Sequence, residues 1–286
     1  TQEGLDKIAM EGSAFIRNKL REVSFARKVI NPEYVTKLDL QRSTLHDGLT
    51  KIVDIEPDSA AVAINLRGQA PTRYVEGQRY EIPFYMITSE DFQKTEEELL
   101  AYEMPLTEVI ERNSVKDIQA VEDSRFLAGV DAAITAVGAG AVGAGTIGSA
   151  GELGRAGFKA LFDILDGNFL KCETLLMNSK TFNRLFLYNA TTVGDQVGSE
   201  QHINGFTYAT LFGRKLIVTN KTSGDGAVAD DRIYAFTAQE FLGNFYILVD
   251  TKFWVDKKKN LITWSAYETI GMGIGNTAAC CRADWT

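Results

Sequence analysis

TEVIERNSVKDIQAVEDSRFLAGVDAAITAV, the run from Thr107 to Val137, is the stretch on which the reading of the fold turns. Within it Val109, Ile110, Ile118, Val121, Phe126, Leu127, Val130, Ile134 and Val137 make an apolar stripe close to the 3.6-residue period of an α-helix. Pro105 lies just ahead, and Thr107 is a candidate N-cap. Two polar pairs, Asn113-Ser114 and Glu122-Asp123, interrupt the pattern and mark places where a helix would bend or split. The second pair, like Glu96-Glu-Glu98, reads as a helix start, where carboxylates meet the positive end of the dipole.

Upstream, residues 3–30 read as a helix carrying Leu5, Ile8, Phe15, Ile16, Leu20 and Val23, with basic residues toward its end and a stop at Asn31-Pro32. The polar stretch to Gly48 has no period and reads as an arm. Val62, Ile64 and Leu66 alternate with Ala61, Ala63 and Asn65. Tyr80, Ile82, Phe84 and Met86 alternate with Arg79, Glu81, Pro83 and Tyr85. Period two predicts a two-stranded ribbon, joined through the polar segment Arg67 to Gly77. Two strands alone are poorly stable in water, so the ribbon needs a partner surface. Pro83 indicates an edge position. Thr95-Glu-Glu-Glu98 has the pattern of a capping box.

Downstream, a Gly/Ala-rich run extends from Val137 to Gly157, followed by a helix from Phe158 to Leu165. Thr174 to Met177 is strand-like, and Ser179 is a candidate cap for a helix through Tyr188. Residues 191–205 read as a loop, Lys215 to Thr219 as a buried strand, and 221–231 as another loop. Ile233 to Phe236 and Phe245 to Val249 are strands. Phe253 to Val255, a turn at Asp256 to Asn260, and Leu261 to Trp264 form a hairpin. No internal repeat occurs, and the order of elements places the chain in the α+β class.

Composition narrows the function. The 286 residues are 45% hydrophobic and 24% charged, as in ordinary globular proteins. A net charge of −8 argues against a surface built to grip nucleic acid, which needs clustered Lys and Arg, though loose contact remains compatible. Three cysteines, Cys172, Cys280 and Cys281, are too few for a disulfide scaffold. No apolar run is long enough to span a bilayer, and the polar N-terminus lacks a signal-peptide core. The sequons at Asn189 and Asn220 read as chance matches.

Catalytic signals are weak. Gly138-Ala-Gly140-Ala-Val-Gly143 fits the dinucleotide fingerprint, but that motif works at a strand-to-helix turn, and a helical pattern precedes it here. The plain reading is a packed connector. The only histidines, His46 and His202, lie in polar stretches. No nucleophile elbow, Walker sequence or metal-ligand spacing occurs, and adjacent cysteines suit a tetrahedral metal poorly. The expectation is a non-enzyme with no cofactor and no metal.

The order of arm, ribbon, long helix and mixed α/β region resembles the major capsid proteins of tailed bacteriophages, the Hong Kong 97-type fold. Several stretches are similar to that family: Thr174-Leu-Leu-Met-Asn178 before the Ser179 helix, Leu211-Phe-Gly213-Arg-Lys-Leu-Ile-Val-Thr219, and Ile233-Tyr-Ala-Phe236 with Leu242-Gly243-Asn-Phe-Tyr-Ile-Leu248. Ile270-Gly-Met-Gly-Ile-Gly-Asn276-Thr-Ala-Ala279 with Arg282 looks like the terminal strand. Arg79-Tyr-Glu-Ile-Pro-Phe84 and Ser114-Val-Lys-Asp-Ile118 add patches of ribbon and spine.

The resemblance divides the chain into an N-terminal arm (1–48), an extension loop (49–94), a peripheral domain with the spine helix (95–169), an axial domain (170–245), strands returning to the peripheral domain (246–267), and a terminal strand and tail of the axial domain (268–286). It implies a structural shell subunit that assembles with itself into hexamers and pentamers of an icosahedral head. The implied partners are scaffold, portal and decoration proteins, with non-specific contact to packaged double-stranded DNA. The implied location is the virion, assembled in the host bacterial cytoplasm without a membrane. An encapsulin-like cargo shell shares the fold and is the nearest alternative. A nicotinamide-dependent oxidoreductase would require a strand ahead of Gly138.

Two departures from the family matter. Some members weld neighbouring subunits through a ribbon Lys, and no Lys lies between Lys51 and Lys94, so that cross-link is not expected. A long N-terminal extension acting as a fused scaffold is not expected either. Candidate intersubunit residues are Arg67, Arg73, Tyr74 and Arg79 of the ribbon, and Cys280 and Cys281. Adjacent residues of a strand point to opposite faces, so at most one of these thiols belongs in the local core. The other is either inert or available for an intersubunit disulfide.

Overall fold

The computed structural model describes residues 21–42, 48–57, 59–101, 105–137, 141–142, 155–184 and 210–284. In chain order the strands are β1 (Glu33–Tyr34), β2 (Gln41–Arg42), β3 (Leu49–Ile55), β4 (Gln78–Thr88), β5 (Phe92–Thr95), β6 (Ala141–Val142), β7 (Thr174–Asn178), β8 (Thr210–Leu211), β9 (Arg214–Thr219), β10 (Arg232–Phe236), β11 (Gly243–Lys258), β12 (Leu261–Ile274) and β13 (Cys280–Asp284).

The stripe between Thr107 and Val137 becomes a single helix, Leu106–Val137, of 32 residues. Its buried side chains Ile118, Phe126, Leu127, Val130 and Ile134 pack against two sheets at once. One is a seven-stranded sheet of order β1-β11-β12-β4-β3-β2, with β5 joined to the far part of β12. It contributes Ile87, Phe245, Ile247, Ala266 and Ile270 to the shared core. The other is a six-stranded sheet of order β6-β13-β10-β7-β9-β8, which contributes Leu176, Ile217, Tyr234, Phe236 and Cys280. Phe126 sits at the centre, with the rings of Phe25 and Phe236 at 6.4 and 5.6 Å. Truncating such a ring to Ala costs about 3–5 kcal/mol through lost transfer energy and the cavity left behind.

Strand alternation builds a second core. Leu175, Met177, Ile233, Ala235, Cys281 and Ala283 point away from the long helix and meet Phe158, Leu161 and Leu165 of the helix Arg155–Gly167. The six-stranded sheet is therefore covered on both faces, which is why Thr174–Asn178 is buried along its whole length.

The β3–β4 ribbon leaves the seven-stranded sheet because β4 changes partners. Phe84 to Thr88 pair with β12, whereas Gln78 to Pro83 pair with β3. Pro83 has no N–H to donate, and it sits just beyond the β12 pairing, where β4 has β3 alone beside it.

Several expectations are corrected. The long helix does not break at Asn113-Ser114 or Glu122-Asp123, and Glu122 and Asp123 are mid-helix residues rather than a helix start. Of the helix expected over residues 3–30, only Ala26–Val29 is helical among the described residues; 1–20 lie outside them. Hydrogen bonds to the long helix hold residues 21–26 in place of a continuous helical ladder. The first ribbon strand is Leu49–Ile55, not 61–66. Val62, Ile64 and Leu66 have no paired strand and lie in solvent, so alternation alone fixed nothing there.

Downstream, Phe245 to Val249 and the predicted hairpin merge into the long β11–β12 pair, with irregularities between Ile247 and Lys252. Ile270 to Ile274 end β12, and the terminal strand is Cys280–Asp284. Asn178, not Ser179, caps the helix Ser179–Arg184, its Oδ1 accepting from Thr181 N at 2.7 Å. The capping box at Thr95 forms as read.

Candidate assembly surfaces

Residues 21–30 are fastened to the rest of the chain. Phe25, Ala26 and Ile30 are buried in the shared core. Arg21 Nε donates to Asp117 at 2.9 Å, and Lys116 Nζ donates to the Arg21 carbonyl at 3.0 Å. Ser24 Oγ and Ala26 N both donate to Asp123 Oδ1, at 2.7 and 3.0 Å, and Lys221 pairs with the other oxygen. Arg27 bridges Glu122 at 2.8 Å and Glu268 at 3.2 Å, and Thr251 Oγ1 donates to Glu268 at 2.9 Å. Glu22 accepts from Thr219 Oγ1 at 2.8 Å and from Asn220 Nδ2 at 2.7 Å.

Glu122, Asp123 and Glu268 are fully buried. Burial raises the pKa of all three and pushes Glu122 up to about 8, against the opposing pull of Arg27. The loop carrying Lys221 presses close enough that a Cβ on Gly226, at φ +69°, would lie 2.7 Å from the Ala120 carbonyl oxygen. This carboxylate cluster was missed in the sequence. Its signal was there, since Glu122 falls on the same helix face as Ile118 and Phe126, where a charge stays buried only with a partner.

A second polar set holds the end of the long helix to the six-stranded sheet. Asp131 accepts from Arg282 at 2.7 Å and from the Tyr234 hydroxyl at 3.1 Å. Asp284 pairs with Arg232 at 2.5 Å and Arg282 at 2.7 Å.

The ribbon behaves in the opposite way. Its root is fixed: Ile82 is buried, the Tyr80 hydroxyl donates to Asn244 at 2.6 Å, and the Tyr80 ring lies against Gly275. Beyond β3 and β4 the described part of the tip has no regular strand. Val62, Ile64, Leu66, Tyr74 and Val75 are exposed there, Leu66 and Tyr74 almost wholly. Arg67 and Arg73 are also exposed and make no ion pair among the described residues. Arg79 differs, since it pairs with Asp54 at 2.9 Å across the two strands. The structure thus brings Arg67, Arg73 and Tyr74 onto one projection and leaves Arg79 at its stem.

The expectation that at most one of Cys280 and Cys281 lies in the core is overturned. Both Cys280 and Cys281 are buried, one on each face of the six-stranded sheet, because each face has its own core. Neither thiol is exposed at the surface of this chain. Burial pushes the Cys280 and Cys172 thiols up to about 12 and 11 and raises Cys281 as well, which suppresses the reactive thiolate. All three cysteines are unbridged.

The residues ahead of Gly138 are helical to Val137, as read; Gly138, Gly140, Gly143, His46 and His202 lie outside the described residues. Among the described residues no group of His, Cys, Asp or Glu is arranged to hold a metal, and no helix is long and apolar enough to cross a membrane. Concavities occur beside Arg21, Lys116 and Lys221 (about 420 Å³) and beside Glu33, Glu173 and Glu240 (about 490 Å³).

No protein-family model matches the sequence, and no curated protein matches it. Solved structures do. A chain of the capsid of cyanophage P-SCSP1u is 12% identical with a TM-score of 0.63, over 96% of this chain and 91% of that one. A chain of the capsid of an empty GTA particle is 15% identical with a TM-score of 0.60, over 96% and 94%. A chain from Mycobacterium phage Adephagia is 10% identical with a TM-score of 0.65, over 99% and 98%. The chain has the fold of these phage and GTA capsid chains over nearly its whole length.

Proposed function

We propose that this chain is the shell-forming subunit of a tailed-phage or related capsid, assembling with copies of itself into hexamers and pentamers around double-stranded DNA. The observation that carries the reading is the capsid fold, matched across 91% or more of chains from solved capsids. The ribbon agrees with it. A projection whose apolar side chains find no cover in their own subunit suits a subunit that covers them with neighbours. Arg67, Arg73 and Tyr74 are the contacts assigned to that surface. Closed shells sum many modest interfaces, so no single one needs to be strong. A net charge of −8 limits adhesion to the packaged DNA, and scaffold, portal and decoration proteins are the further partners the reading implies. The arm, extension-loop, peripheral and axial divisions given above belong to the same proposal.

Electron microscopy of the purified protein across a concentration series tests the reading. Capsomers or closed particles are expected. A chain that stays monomeric at high concentration under every assembly condition removes it.

A further inference from the structure

Three buried carboxylates face two cations where residues 21–30 meet the long helix. Asp123 has its own counter-charge in Lys221. Glu122 and Glu268 have only Arg27 between them. The guanidinium divides unequally. Its Nε donates to both oxygens of Glu122, at 2.8 and 3.1 Å, whereas Nη2 reaches Glu268 Oε2 at 3.2 Å. Thr251 shares that oxygen, and Glu268 Oε1 accepts no hydrogen bond although the side chain is fully buried. Burying an ionised carboxylate with one oxygen lacking a donor is costly.

Among the described residues nothing else supplies the missing positive charge. On β4, Tyr85 lies near both carboxylates, and the exposed Arg125 covers its ring at 4.4 Å to the centroid without an ion pair to either. On β11, Asp250 adds a further negative charge. On the helix itself the neighbour is Asp123, already matched. Neutrality then requires one proton on the pair, and such a proton belongs to the two groups together. Burial works in the same direction, pushing Glu122 up to about 8 and raising Glu268.

We propose that Glu122 and Glu268 hold one shared proton and that its loss releases residues 21–30 from the long helix, so that the clamp is a proton-dependent latch. The latch is a property of the single chain and does not depend on the capsid reading. Once both carboxylates are ionised, water must reach them. The long helix and β12 are poorly placed to move aside, since one is a 32-residue helix and the other is paired with β11, β4 and β5. The segment against them is held by one turn of helix, three buried apolar side chains and the clamp bonds themselves. It is the least costly element to displace. The closed pair keeps a proton that the displaced carboxyls release near 4.5, so opening gains about tenfold per pH unit until the closed pair itself ionises, near 8.

The amides of Lys28, Val29 and Ile30, bonded to the Phe25 and Ala26 carbonyls, report the latch. In hydrogen exchange of the full chain, corrected for intrinsic pH dependence, their protection is expected to fall about tenfold per pH unit between about pH 5.5 and 7.5. It is also expected to lie well below that of Leu175 to Met177 in the buried strand β7. Glu122→Gln and Glu268→Gln should each flatten the profile with Leu175 to Met177 still protected, since either leaves one carboxylate to one guanidinium. A flat profile in the parent overturns the latch, as does a slope that persists in both variants. Protection of residues 28–30 equal to that of Leu175 to Met177 at every pH would mean that the segment opens only with the whole fold, and equally overturns it. If one variant flattens the profile and the other does not, the proton sits on a single carboxyl and the sharing is wrong.

Discussion

The clamp at residues 21–30 and the ribbon tip at 59–77 meet opposite fates. In the clamp, Asp123, Glu122 and Glu268 are buried and matched by Lys221, Ser24, Arg27 and Thr251 of the same chain. At the tip, Leu66 and Tyr74 are exposed, and Arg67 and Arg73 have no partner among the described residues. The contrast separates groups that are matched within the chain from side chains that the chain leaves uncovered. A buried charge without its counter-charge is costly, so each buried carboxylate of the clamp has a cation beside it, although Glu268 Oε1 accepts no hydrogen bond. An exposed apolar side chain costs the monomer little and waits for cover.

The largest effect on the subunit is expected at the centre of the clamp. Asp123→Ala leaves the Lys221 ammonium, the Ser24 hydroxyl and the Ala26 N–H without their acceptor, and should lower unfolding stability by about 3–5 kcal/mol in denaturant titrations. A loss below about 1 kcal/mol would show that the clamp is not sealed from water.

Glu122→Gln should have a smaller effect that depends on pH. The native carboxyl holds its proton up to about pH 8, whereas the unfolded one releases it near 4.5. Its stabilising contribution is complete below 4.5 and declines until pH passes about 8, because the unfolded chain then binds fewer protons than the native one. Gln has no proton to release. The melting temperature of the variant relative to the parent should therefore climb across pH 5 to 8 and level off above. Parallel profiles would mean that Glu122 is ionised throughout and held by Arg27.

The smallest effect on the subunit is expected at the tip. Deleting Arg67 to Gly77 should change subunit stability by no more than about 0.5 kcal/mol, since these residues lie outside both cores. Assembly should nevertheless be lost, as read by sedimentation. Normal particles from the deletion would make the tip as self-sufficient as the clamp. A large loss of stability would tie it to the core instead.

The legibility of the sequence follows the same division. Elements with a local signature were readable: the long helix, the strand expected at Thr174 to Met177, the hairpin whose second strand starts at Leu261 and the capping box at Thr95. The order of these elements carried the resemblance to capsid proteins, and the fold agrees with it. The alternation Val62, Ile64, Leu66 misled, because three apolar residues at period two form a strand only if another strand pairs with them, and Leu49–Ile55 took that place beside β4. Of the candidate contact residues, Arg67, Arg73 and Tyr74 are exposed on the ribbon tip, whereas Cys280 and Cys281 are buried.

What the sequence determined by itself is local: which segments are helical, which are extended, and that no catalytic constellation is spelled out in its motifs. Periodicity and capping are set by neighbours a few residues apart, so they can be read along the chain. Only the tertiary structure decided the fates of Glu122, Asp123, Cys280 and Cys281. The sequence suggested that one cysteine faced outward and that the acidic pair opened a helix. The fold covers both faces of the six-stranded sheet and lays residues 21–30 along the long helix, so all four are buried. Burial is a property of segments distant in the chain, such as Asp123 meeting Ser24 and Lys221, and no local pattern records which segments will meet.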